Sequence, residues 1–482
     1  MFRRACVLRC NALAAAIAGR TSLSDAFRQV QKVWNVDFRD GPATTSTLTF
    51  NDDPDPAAPI FHVLDLHGRV VLEDRMERST AVGDDSGSGD GGDSGVVELQ
   101  SAEHGELFRY RVEDETSVIT RDVAVRIMTA MVSHNTMDKI MLEAQRQGRI
   151  SFYMTMFGEE AAVIGAAAGL ASNDELFAQY RESGILTYRG YTIPEFISQC
   201  MGNCECDMKG RQMPIHYGSK RLHAQMISSP LATQIPHGAG AGYAFRLENE
   251  ALEKGLPPGT LLSTAPEARI CATFFGEGAA SEGDFHAGLN FASTVGSHTL
   301  FFVRNNGYAI STPTHNQYMG DGILSRAVGY GVPAARVDGL DALAVYHTVR
   351  KAREIILNTH RPVLVEAMTY RLSHHSTSDD STAYRSRDEI EHFAETFSPI
   401  ERFERFMVER GWWTPEESQA IVERTRKEVL SELRRQEKLP AWPVSTLCDD
   451  VFEHITPELE RQRAELLKHY EAHRTVYDQE KL

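Results

Sequence analysis

Apolar residues in the middle of the chain form short runs that alternate with longer amphipathic stretches. The runs at 270–275, 299–303 and 362–370 have the length of buried strands. Around them, apolar positions recur at helical spacing. The helices that this spacing predicts cover residues 120–148, 159–171 and 341–357, with another that opens at Ser281. Short strands separated by helices predict an α/β fold with a mainly parallel sheet flanked by helices.

The first 24 residues have a different composition. They contain Arg3, Arg4, Arg9 and Arg20, with no acidic residue before Asp25, and alanine and leucine fill the spaces. This pattern is typical of a presequence that directs a protein to the mitochondrial matrix. A secretory signal is the alternative, but the apolar stretch at 12–18 is short and flanked by arginine. We therefore expect residues 1–24 to be a mitochondrial presequence.

The remaining chain divides into three predicted regions. Residues 25–118 resemble an arm rather than a core, with a short hairpin predicted around His67 and Gly68. Within the arm, residues 82–95 contain four Asp, six Gly and three Ser, which predicts a disordered acidic insert. Residues 119–400 form the predicted main domain. Residues 401–482 are charged and helix-forming, and predict a helical C-terminal tail.

Composition excludes several classes of protein. The apolar fraction of 42% and charged fraction of 24% are ordinary for a globular protein. A net charge of −17 disfavours nucleic acid as a partner. No apolar run approaches the roughly 18 residues of a membrane span, so we expect no membrane insertion. Cys200, Cys204 and Cys206 lack the paired spacing of zinc sites and predict reduced thiols.

The candidate chemistry lies between residues 274 and 306. A predicted strand enters the turn Gly276-Glu277-Gly278, and the next predicted strand ends at Arg304-Asn305-Asn306. Glycine lets the backbone approach a ligand closely, and Glu277 supplies an anionic oxygen. The helix that follows favours anions at its N-terminus. Carboxylate, amide and phosphate oxygens are ligands that Mg²⁺ prefers, so this pattern predicts a metal held against a diphosphate.

Two other interpretations of this stretch were compared. An ordinary strand–helix–strand turn with polar surface residues is common in α/β folds. A dinucleotide-binding turn would need glycine at position 281, where this chain has Ser281. The Gly-acid-Gly element followed by Asn-Asn after 26 residues instead resembles the thiamine diphosphate signature, in which aspartate is usual at the place of Glu277.

The resemblance extends along most of the chain, in four segments that follow in order. These are QYRE at 179–182, SSPLATQ at 228–234, FFVRNNGYAISTP at 301–313 and HHSTSDDSTAYR at 374–385. Together they resemble the alpha subunits of branched-chain 2-oxoacid dehydrogenases, which have the diphosphate-binding half of the thiamine diphosphate fold. Pyruvate and acetoin dehydrogenase alpha subunits are the alternatives. Glu277 and the doubled His374-His375 favour the branched-chain family over the pyruvate family, and the presequence argues against a bacterial-type acetoin enzyme.

The resemblance implies site residues, each at a matching position. Glu277, Asn306 and the carbonyl of Tyr308 would bind Mg²⁺. The residues implied for the thiamine diphosphate site are Tyr180, Arg181, Ser229, Leu231, Gly278, Ala279, Arg304 and His375. Those implied for a structural K⁺ site are Ser228, Pro230, Thr233 and Gln234, although the same groups could make a capped turn.

The remaining implied roles concern catalysis and regulation. His375 would be catalytic, as a neutral or protonated imidazole beside the cofactor. Phe152 and Tyr180 would line the pocket for the branched side chain, although an isolated phenylalanine is more often core packing. Ser376 and Ser386 would be phosphorylated.

The resemblance also implies an activity and partners. The activity is thiamine diphosphate-dependent oxidative decarboxylation of branched-chain 2-oxoacids, with transfer of the acyl group to a lipoyl-bearing transacylase. No second cofactor-binding half is found in the sequence, so a beta subunit in an α2β2 heterotetramer would complete the site. A regulatory kinase and phosphatase would act on the serines. A scaffold that has lost catalysis is disfavoured, because it would not need Glu277, Asn306 and His375.

Overall fold

Five parallel strands form the centre of the main sheet in the computed structural model, which describes residues 60–70, 96–100, 107–111 and 118–477. The strands are β1 (Val96–Gln100), β2 (Leu107–Arg111), β3 (Glu175–Phe177), β4 (Cys271–Gly276), β5 (Thr299–Asn305), the two-stranded ribbon of β6 (Tyr308–Ala309) and β7 (Thr312–Pro313), β8 (Ala334–Asp338) and β9 (Val363–Met368). The described strands of the sheet run in the order β2-β1-β8-β9-β5-β4-β3. Strands β8, β9, β5, β4 and β3 are parallel, and β1 and β2 add an antiparallel hairpin at one edge.

The described helices flank this sheet and continue beyond it. They are α1 (Arg121–Arg146), α2 (Glu160–Gly169), α3 (Ser183–Arg189), α4 (Ile193–Met201), α5 (Gln234–Glu253), α6 (Gly283–Val295), α7 (Leu324–Gly329), α8 (Ala342–Thr359), α9 (Arg387–Thr396), α10 (Pro399–Glu409), α11 (Pro415–Gln436), α12 (Pro457–Ala472) and α13 (Arg474–Tyr477). Helices α1, α2 and α8 contribute to one apolar cluster, and α5 and α6 to a second.

Alternation along the strands divides the core between the two faces of the sheet. Phe274 and Phe302 belong to the cluster with α2 and α8, whereas their neighbours Phe275 and Phe301 belong to the cluster with α5 and α6. Successive side chains of a strand point to opposite faces, so helices cover both sides. Strands buried on both faces are apolar throughout, which explains the continuous apolar runs in the sequence. The predicted α/β fold is confirmed.

The local predictions near residues 270–306 are confirmed to within about two residues. Strand β4 ends at Gly276, one residue beyond its predicted run, and β5 ends at Asn305, two residues beyond its predicted run. Helix α6 begins at Gly283, after a short 3₁₀ turn at Ala279–Ser281. The carboxyl ends of β4, β5 and β9 meet at one edge of the sheet, where α/β proteins commonly bind ligands.

Residues 60–70 differ from the predicted arm. Phe61 forms a parallel bridge with Val337 of β8. Phe61, Val63 and Leu64 are buried. The predicted hairpin is reduced to a single bridge between Leu64 and Val70. The backbone N–H groups of Val63 and Leu64 bond the carboxylate of Asp341, so the segment is fixed to the core as well as by the turn around Asp65. The predicted presequence and acidic insert lie outside the described residues.

Helices dominate the C-terminal part of the described chain, as the sequence predicts for residues 401–482. Trp413 is buried, and the Trp442 indole donates a hydrogen bond to the Cys206 carbonyl at 3.0 Å. Among described cysteines, Cys200, Cys204 and Cys206 are free thiols, as predicted. A search of the described helices finds none that is long and apolar enough to span a membrane.

Candidate active site

A cavity of about 180 Å³ opens at the carboxyl ends of β4 and β5. The sequence-predicted residues that line it are Tyr180, Arg181, Leu231, Glu277, Gly278, Ala279, Arg304, Asn306, Tyr308 and His375. Ser229 and Phe152 are not among its lining residues; Phe152 packs partly buried against the core. A larger cavity of about 630 Å³, bordered by α2 and α8, contains none of the predicted site residues. We take the smaller cavity as the site because the chemistry converges there.

Glu277 supplies a buried carboxyl oxygen that has no hydrogen-bond partner in the described part of the chain. Its side chain is only 1% exposed, and its backbone N–H bonds the Arg304 carbonyl at 3.2 Å. Oε2 accepts a hydrogen bond from the Asn306 N–H at 3.4 Å, but Oε1 has no hydrogen-bond partner among the described residues. Burial raises the pKa of Glu277 above its ordinary value. A buried, unpaired carboxylate oxygen is costly, and a bound cation would satisfy it.

Asn306 and Tyr308 follow β5 in a tight turn. Gly307 between them has φ of +84°, a left-handed conformation that glycine adopts without strain. Asn306 Oδ1 accepts a hydrogen bond from the Tyr308 N–H at 3.2 Å. Within the described chain there is no cluster of three or more His, Cys, Asp or Glu side chains that could hold a metal. One carboxylate with amide and carbonyl oxygens fits Mg²⁺ that takes its other ligands from phosphate and water.

The turn after β4 approaches the residues after β5 closely. A Cβ added to Gly278 would lie 2.7 Å from the Cβ of Ala309, so glycine is required for this packing. Gly278 and Ala279 both line the cavity, and Ala279 is 2% exposed. The backbone here is therefore held close to any ligand in the cavity.

Arginine side chains give the cavity positive charge. Arg304 Nη1 donates to Glu159 at 2.7 Å, and its Nε donates to Glu182. Arg181 donates to the Thr155 carbonyl at 2.6 Å and to the His375 carbonyl at 2.7 Å. Both guanidinium groups are thus fixed by the protein before any anion arrives, and guanidinium pairs strongly with phosphate.

His375 lies in the loop between β9 and α9. Its backbone N–H donates to Asp379 at 2.7 Å, and its Nδ1 lies 3.5 Å from Arg181 Nη2 and 3.4 Å from Arg371 Nη1. Burial, with the two arginine charges, lowers the pKa of His375 to about 3. The Tyr180 ring contacts the imidazole edge-on at 5.9 Å between centroids. Of the two predicted forms, the structure therefore favours the neutral imidazole.

The two serines of the loop have different surroundings. The Ser376 hydroxyl bonds the Ser378 hydroxyl at 3.2 Å. Asp379, whose carboxylate accepts a hydrogen bond from the His375 N–H, belongs to the same turn. Ser386 is exposed and caps α9, where its hydroxyl accepts from the Glu389 N–H at 3.1 Å. The two positions differ in how well they could accept a phosphate.

The SSPLATQ segment forms a capped turn. Thr233 Oγ1 donates to the Pro230 carbonyl at 3.3 Å, and Gln234 Nε2 donates to the Phe274 carbonyl at 3.1 Å. The Ser229 hydroxyl bonds His216 Nε2 at 2.9 Å. The turn brings Leu231 to the cavity, while Ser228 is partly exposed beside it. Binding of K⁺ by this turn stays a prediction.

Among the residues that contact the site, Glu159, Glu182 and Arg371 were not predicted from the sequence as site residues. Each is at most 1% exposed, and each bonds or approaches a predicted site residue. Glu182 lies within a quoted motif, but its role depends on Arg304, 122 residues away. For Glu159, the one sequence signal is its position directly before an alanine-rich helix.

The family model of the dehydrogenase E1 component matches residues 128–444. The chain belongs to the dehydrogenase E1 component family. It is 47% identical over 354 residues to the mitochondrial 2-oxoisovalerate dehydrogenase alpha subunit of Caenorhabditis elegans, covering 73% of this chain and 78% of the relative. It is 45% identical over 359 residues to the human mitochondrial protein of the same name, covering 74% and 77%.

A plant protein is also similar. Mitochondrial 2-oxoisovalerate dehydrogenase subunit alpha 1 of Arabidopsis thaliana is 45% identical over 363 residues, which cover 73% of each chain. The resemblance drawn from the motifs is therefore confirmed. Every candidate site residue, from Phe152 to Ser386, lies inside the part matched by the E1 component model.

Proposed function

We propose that this E1 component is the alpha subunit of a branched-chain 2-oxoacid dehydrogenase of the mitochondrial matrix. Its reaction is the oxidative decarboxylation of the 2-oxoacids derived from leucine, isoleucine and valine. The acyl group passes to a lipoyl group on a transacylase partner. The observation that carries the proposal is the unpaired buried oxygen of Glu277 beside Asn306 and Arg304, in a chain similar to 2-oxoisovalerate dehydrogenase alpha subunits.

The proposed cofactors are thiamine diphosphate, Mg²⁺ and K⁺. Glu277, Asn306 and the Tyr308 carbonyl would hold Mg²⁺, and Arg181 and Arg304 would bind the diphosphate oxygens. When bound, thiamine diphosphate supplies a carbon nucleophile and an electron sink for decarboxylation. The SSPLATQ turn would hold K⁺, which stabilises Leu231 at the cavity wall.

His375 would act on the substrate as a neutral imidazole. Its pKa of about 3 keeps it uncharged at neutral pH and disfavours its protonation, so it can hydrogen-bond the substrate without adding charge there. Arg181 and Arg371 fix its position through the backbone carbonyl and Nδ1. Tyr180, which touches the imidazole, would contribute to the substrate pocket, and Phe152 would support that wall from the core side.

The cavity supports a site shared with a partner. Its volume of about 180 Å³ is below the roughly 300 Å³ at which ordinary ligand pockets begin. A beta subunit in an α2β2 heterotetramer would supply the rest of the site, including the group that activates the cofactor ring. We therefore expect the chain alone to show no turnover of 2-oxoacids.

The test is co-expression with the beta subunit and a comparison of 2-oxoisovalerate, pyruvate and acetoin as substrates. We expect decarboxylation that depends on thiamine diphosphate and Mg²⁺, faster with 2-oxoisovalerate. Preference for pyruvate would favour a pyruvate dehydrogenase alpha subunit, and preference for acetoin would favour an acetoin dehydrogenase. Turnover that survives Glu277→Gln combined with Asn306→Ala would contradict the proposal, as would turnover by the chain alone.

Phosphorylation is proposed as a switch at Ser376, exerted by a kinase and reversed by a phosphatase. A phosphate there would add nearly two negative charges beside Asp379, which binds the His375 N–H. Ser386 caps a helix, where a phosphate is favourable, so its modification should matter less. Accordingly, Ser376→Glu should remove most complex activity and Ser386→Glu little of it.

A further inference from the structure

Glu159 lies directly behind the cavity and contacts several of its residues at once. It precedes α2 and is 0% exposed. Its Oε1 accepts hydrogen bonds from Arg304 Nη1 at 2.7 Å, Thr369 Oγ1 at 3.1 Å and Asn306 Nδ2 at 3.3 Å. Its Oε2 lies 3.6 Å from Arg181 Nε and has no hydrogen-bond partner in the described chain. One carboxylate thus contacts Arg304 and Asn306 at the end of β5, Thr369 after β9, and Arg181 before α3.

The contact with Asn306 fixes which end of its amide is available. A carboxylate accepts hydrogen bonds and cannot donate them, so the Nδ2 end of Asn306 must face Glu159. The oxygen end then lies on the opposite side, where it also accepts from the Tyr308 N–H. A flipped amide would set two acceptor oxygens against each other and leave both donors unpaired, which is unfavourable in a buried site. Mg²⁺ binds oxygen, so only the observed orientation suits a metal ligand.

The neighbouring asparagine shows the same arrangement with another acid. Asn305 Nδ2 donates to Glu366 at 2.9 Å, and its Oδ1 accepts from the Gly307 N–H at 3.2 Å. Glu366 is also fully buried. Each asparagine of the Asn-Asn pair is therefore oriented by its own buried glutamate, and only the Glu159 partner reaches the cavity arginines as well.

Glu159 also balances charge between the arginines. Arg304 and Arg181 both approach its carboxylate, one at each oxygen. Without the carboxylate, Arg304 would keep only Glu182 as its acidic partner and Arg181 would lose its ion pair, which is unfavourable for two buried cations. With it, both are held in place near the cavity and remain able to pair with an anion.

We infer that Glu159 is a positioning residue for the metal and diphosphate site. It turns Asn306 so that Oδ1 is offered to the metal, and it holds Arg304 and Arg181 at the spacing the diphosphate requires. The inference rests on the proposed function, because it assumes that Asn306 binds a metal. Glu159 itself does not line the cavity, so it acts through its neighbours.

The experiment measures Mn²⁺ binding to the assembled complex by electron paramagnetic resonance, with saturating thiamine diphosphate. Mn²⁺ prefers the same oxygen ligands as Mg²⁺. Glu159→Gln should weaken Mn²⁺ affinity about 10–100-fold, the usual effect of removing a group that orients a metal ligand. The matched control is Glu160→Gln, which alters the next residue, equally buried but bonded to Asn135 and the Gly158 N–H. We expect that control to leave Mn²⁺ affinity unchanged.

A second background separates orientation from general damage. In Asn306→Asp both side-chain oxygens can bind a metal, so no amide needs to be turned, but the new carboxylate would face Glu159 across a contact of 3.3 Å. Adding Glu159→Gln to Asn306→Asp should therefore relieve repulsion and raise Mn²⁺ affinity. A purely structural role for Glu159 predicts the same loss in both backgrounds, and that result would overturn the inference.

The outcomes distinguish this inference from the proposed function. If the unaltered complex binds no Mn²⁺, or if Glu277→Gln binds it normally, the proposed metal site is wrong. If that site behaves as expected while Glu159→Gln binds Mn²⁺ normally, only the role of Glu159 is wrong. Should Glu159→Gln fail to assemble, Thr369→Val removes one donor to the same oxygen. Mn²⁺ affinity should then fall several-fold, and unchanged affinity would contradict the inference.

Discussion

Glu159 at the cavity and Asp138 on helix α1 are excluded from solvent to the same degree, at 0% and 1% exposure. Burial would raise the pKa of Glu159, but the charges of Arg304 and Arg181 outweigh it and bring the pKa below its ordinary value. Asp138 receives hydrogen bonds from the Tyr153 hydroxyl and the Met156 N–H, and burial raises its pKa to about 7. Two equally buried acids thus differ in ionisation.

The same contrast holds for the groups around them. The cavity set consists of Glu159, Glu182, Arg181 and Arg304, and its acids pair with guanidinium. The helix set consists of His134, Asp138 and Glu160. Burial raises the pKa of Glu160 to about 7 and lowers that of His134 to about 3, so both favour their neutral forms. Guanidinium neighbours, rather than burial, decide where an interior acid keeps its charge.

The difference corresponds to two tasks. Ionised pairs around the cavity can exchange partners with a charged ligand, whereas the helix set supports the backbone. Asp138 holds Met156, the residue after Thr155, and the Thr155 carbonyl holds Arg181. The helix set therefore supports the cavity set from behind. Substitutions in the two sets should therefore have different effects on ligand binding and on the pH dependence of stability.

The largest effect is expected from removing a guanidinium from the cavity set. Arg304→Met leaves Glu159 and Glu182 buried without their main partner, which should lower the free energy of unfolding by about 3–5 kcal/mol. It should also abolish thiamine diphosphate binding, measured by calorimetry on the complex. Arg402→Met is the control, because Arg402 is equally buried and pairs with Asp338 and Asp341 far along the chain from the cavity motifs. It should destabilise the fold but spare the affinity for the cofactor.

The residues in and around the cavity show what the sequence could and could not predict. Glu277, Arg304 and Asn306 were found because each sits beside a strand end in a short, recognisable pattern. Glu159 pairs with Arg304 from 145 residues away, and no local pattern reports such a contact. The same holds for Phe61, whose partner Val337 lies in a distant strand and which sequence assigned to an arm. Local periodicity predicts elements, while pairing between distant polar groups needs the fold.

A smaller effect is expected at Asp138. Its raised pKa means that the folded state holds a proton that the unfolded state has lost between pH 3.8 and about 7. Stability should therefore fall as pH rises through this window, by up to about 1.4 kcal/mol per pH unit. Asp138→Asn mimics the protonated acid, since its amide can donate to Tyr153 and accept from Met156. The variant should lose this slope in thermal unfolding across the window.

The control for that slope is Asp122→Asn, at the exposed start of the same helix. It should leave the pH dependence unchanged. If Asp138→Asn keeps the full slope, then Asp138 is ionised in the folded protein and the contrast with the cavity set is wrong.

The smallest effect is expected at His134, where the sign reverses and only the narrow interval from pH 6.5 to 5 is compared. Its Nδ1 lies 2.7 Å from the Thr187 hydroxyl and its Nε2 2.9 Å from that of Ser183. Because burial lowers its pKa to about 3, the folded state stays unprotonated while the unfolded state takes up a proton below pH 6.5. Stability should therefore fall as pH falls, by up to about 1.4 kcal/mol per unit. Glutamine cannot take up this proton, so His134→Gln removes the pH dependence. It also loses a hydrogen bond of the folded state, worth about 1 kcal/mol.

The difference in stability between His134→Gln and the unaltered residue should therefore close as pH falls from 6.5 to 5. The comparison belongs in the Asp138→Asn background, because Asp138 Oδ1 lies 3.5 Å from His134 Nε2 and neighbouring substitutions do not add. The exposed residue His237 provides the control, and His237→Gln should not change the pH dependence. A constant difference between pH 6.5 and 5 would mean that the folded protein accepts the proton at His134. The helix set would then contain a charged side chain, as the cavity set does. A buried group in this protein could therefore stay ionised without a guanidinium neighbour.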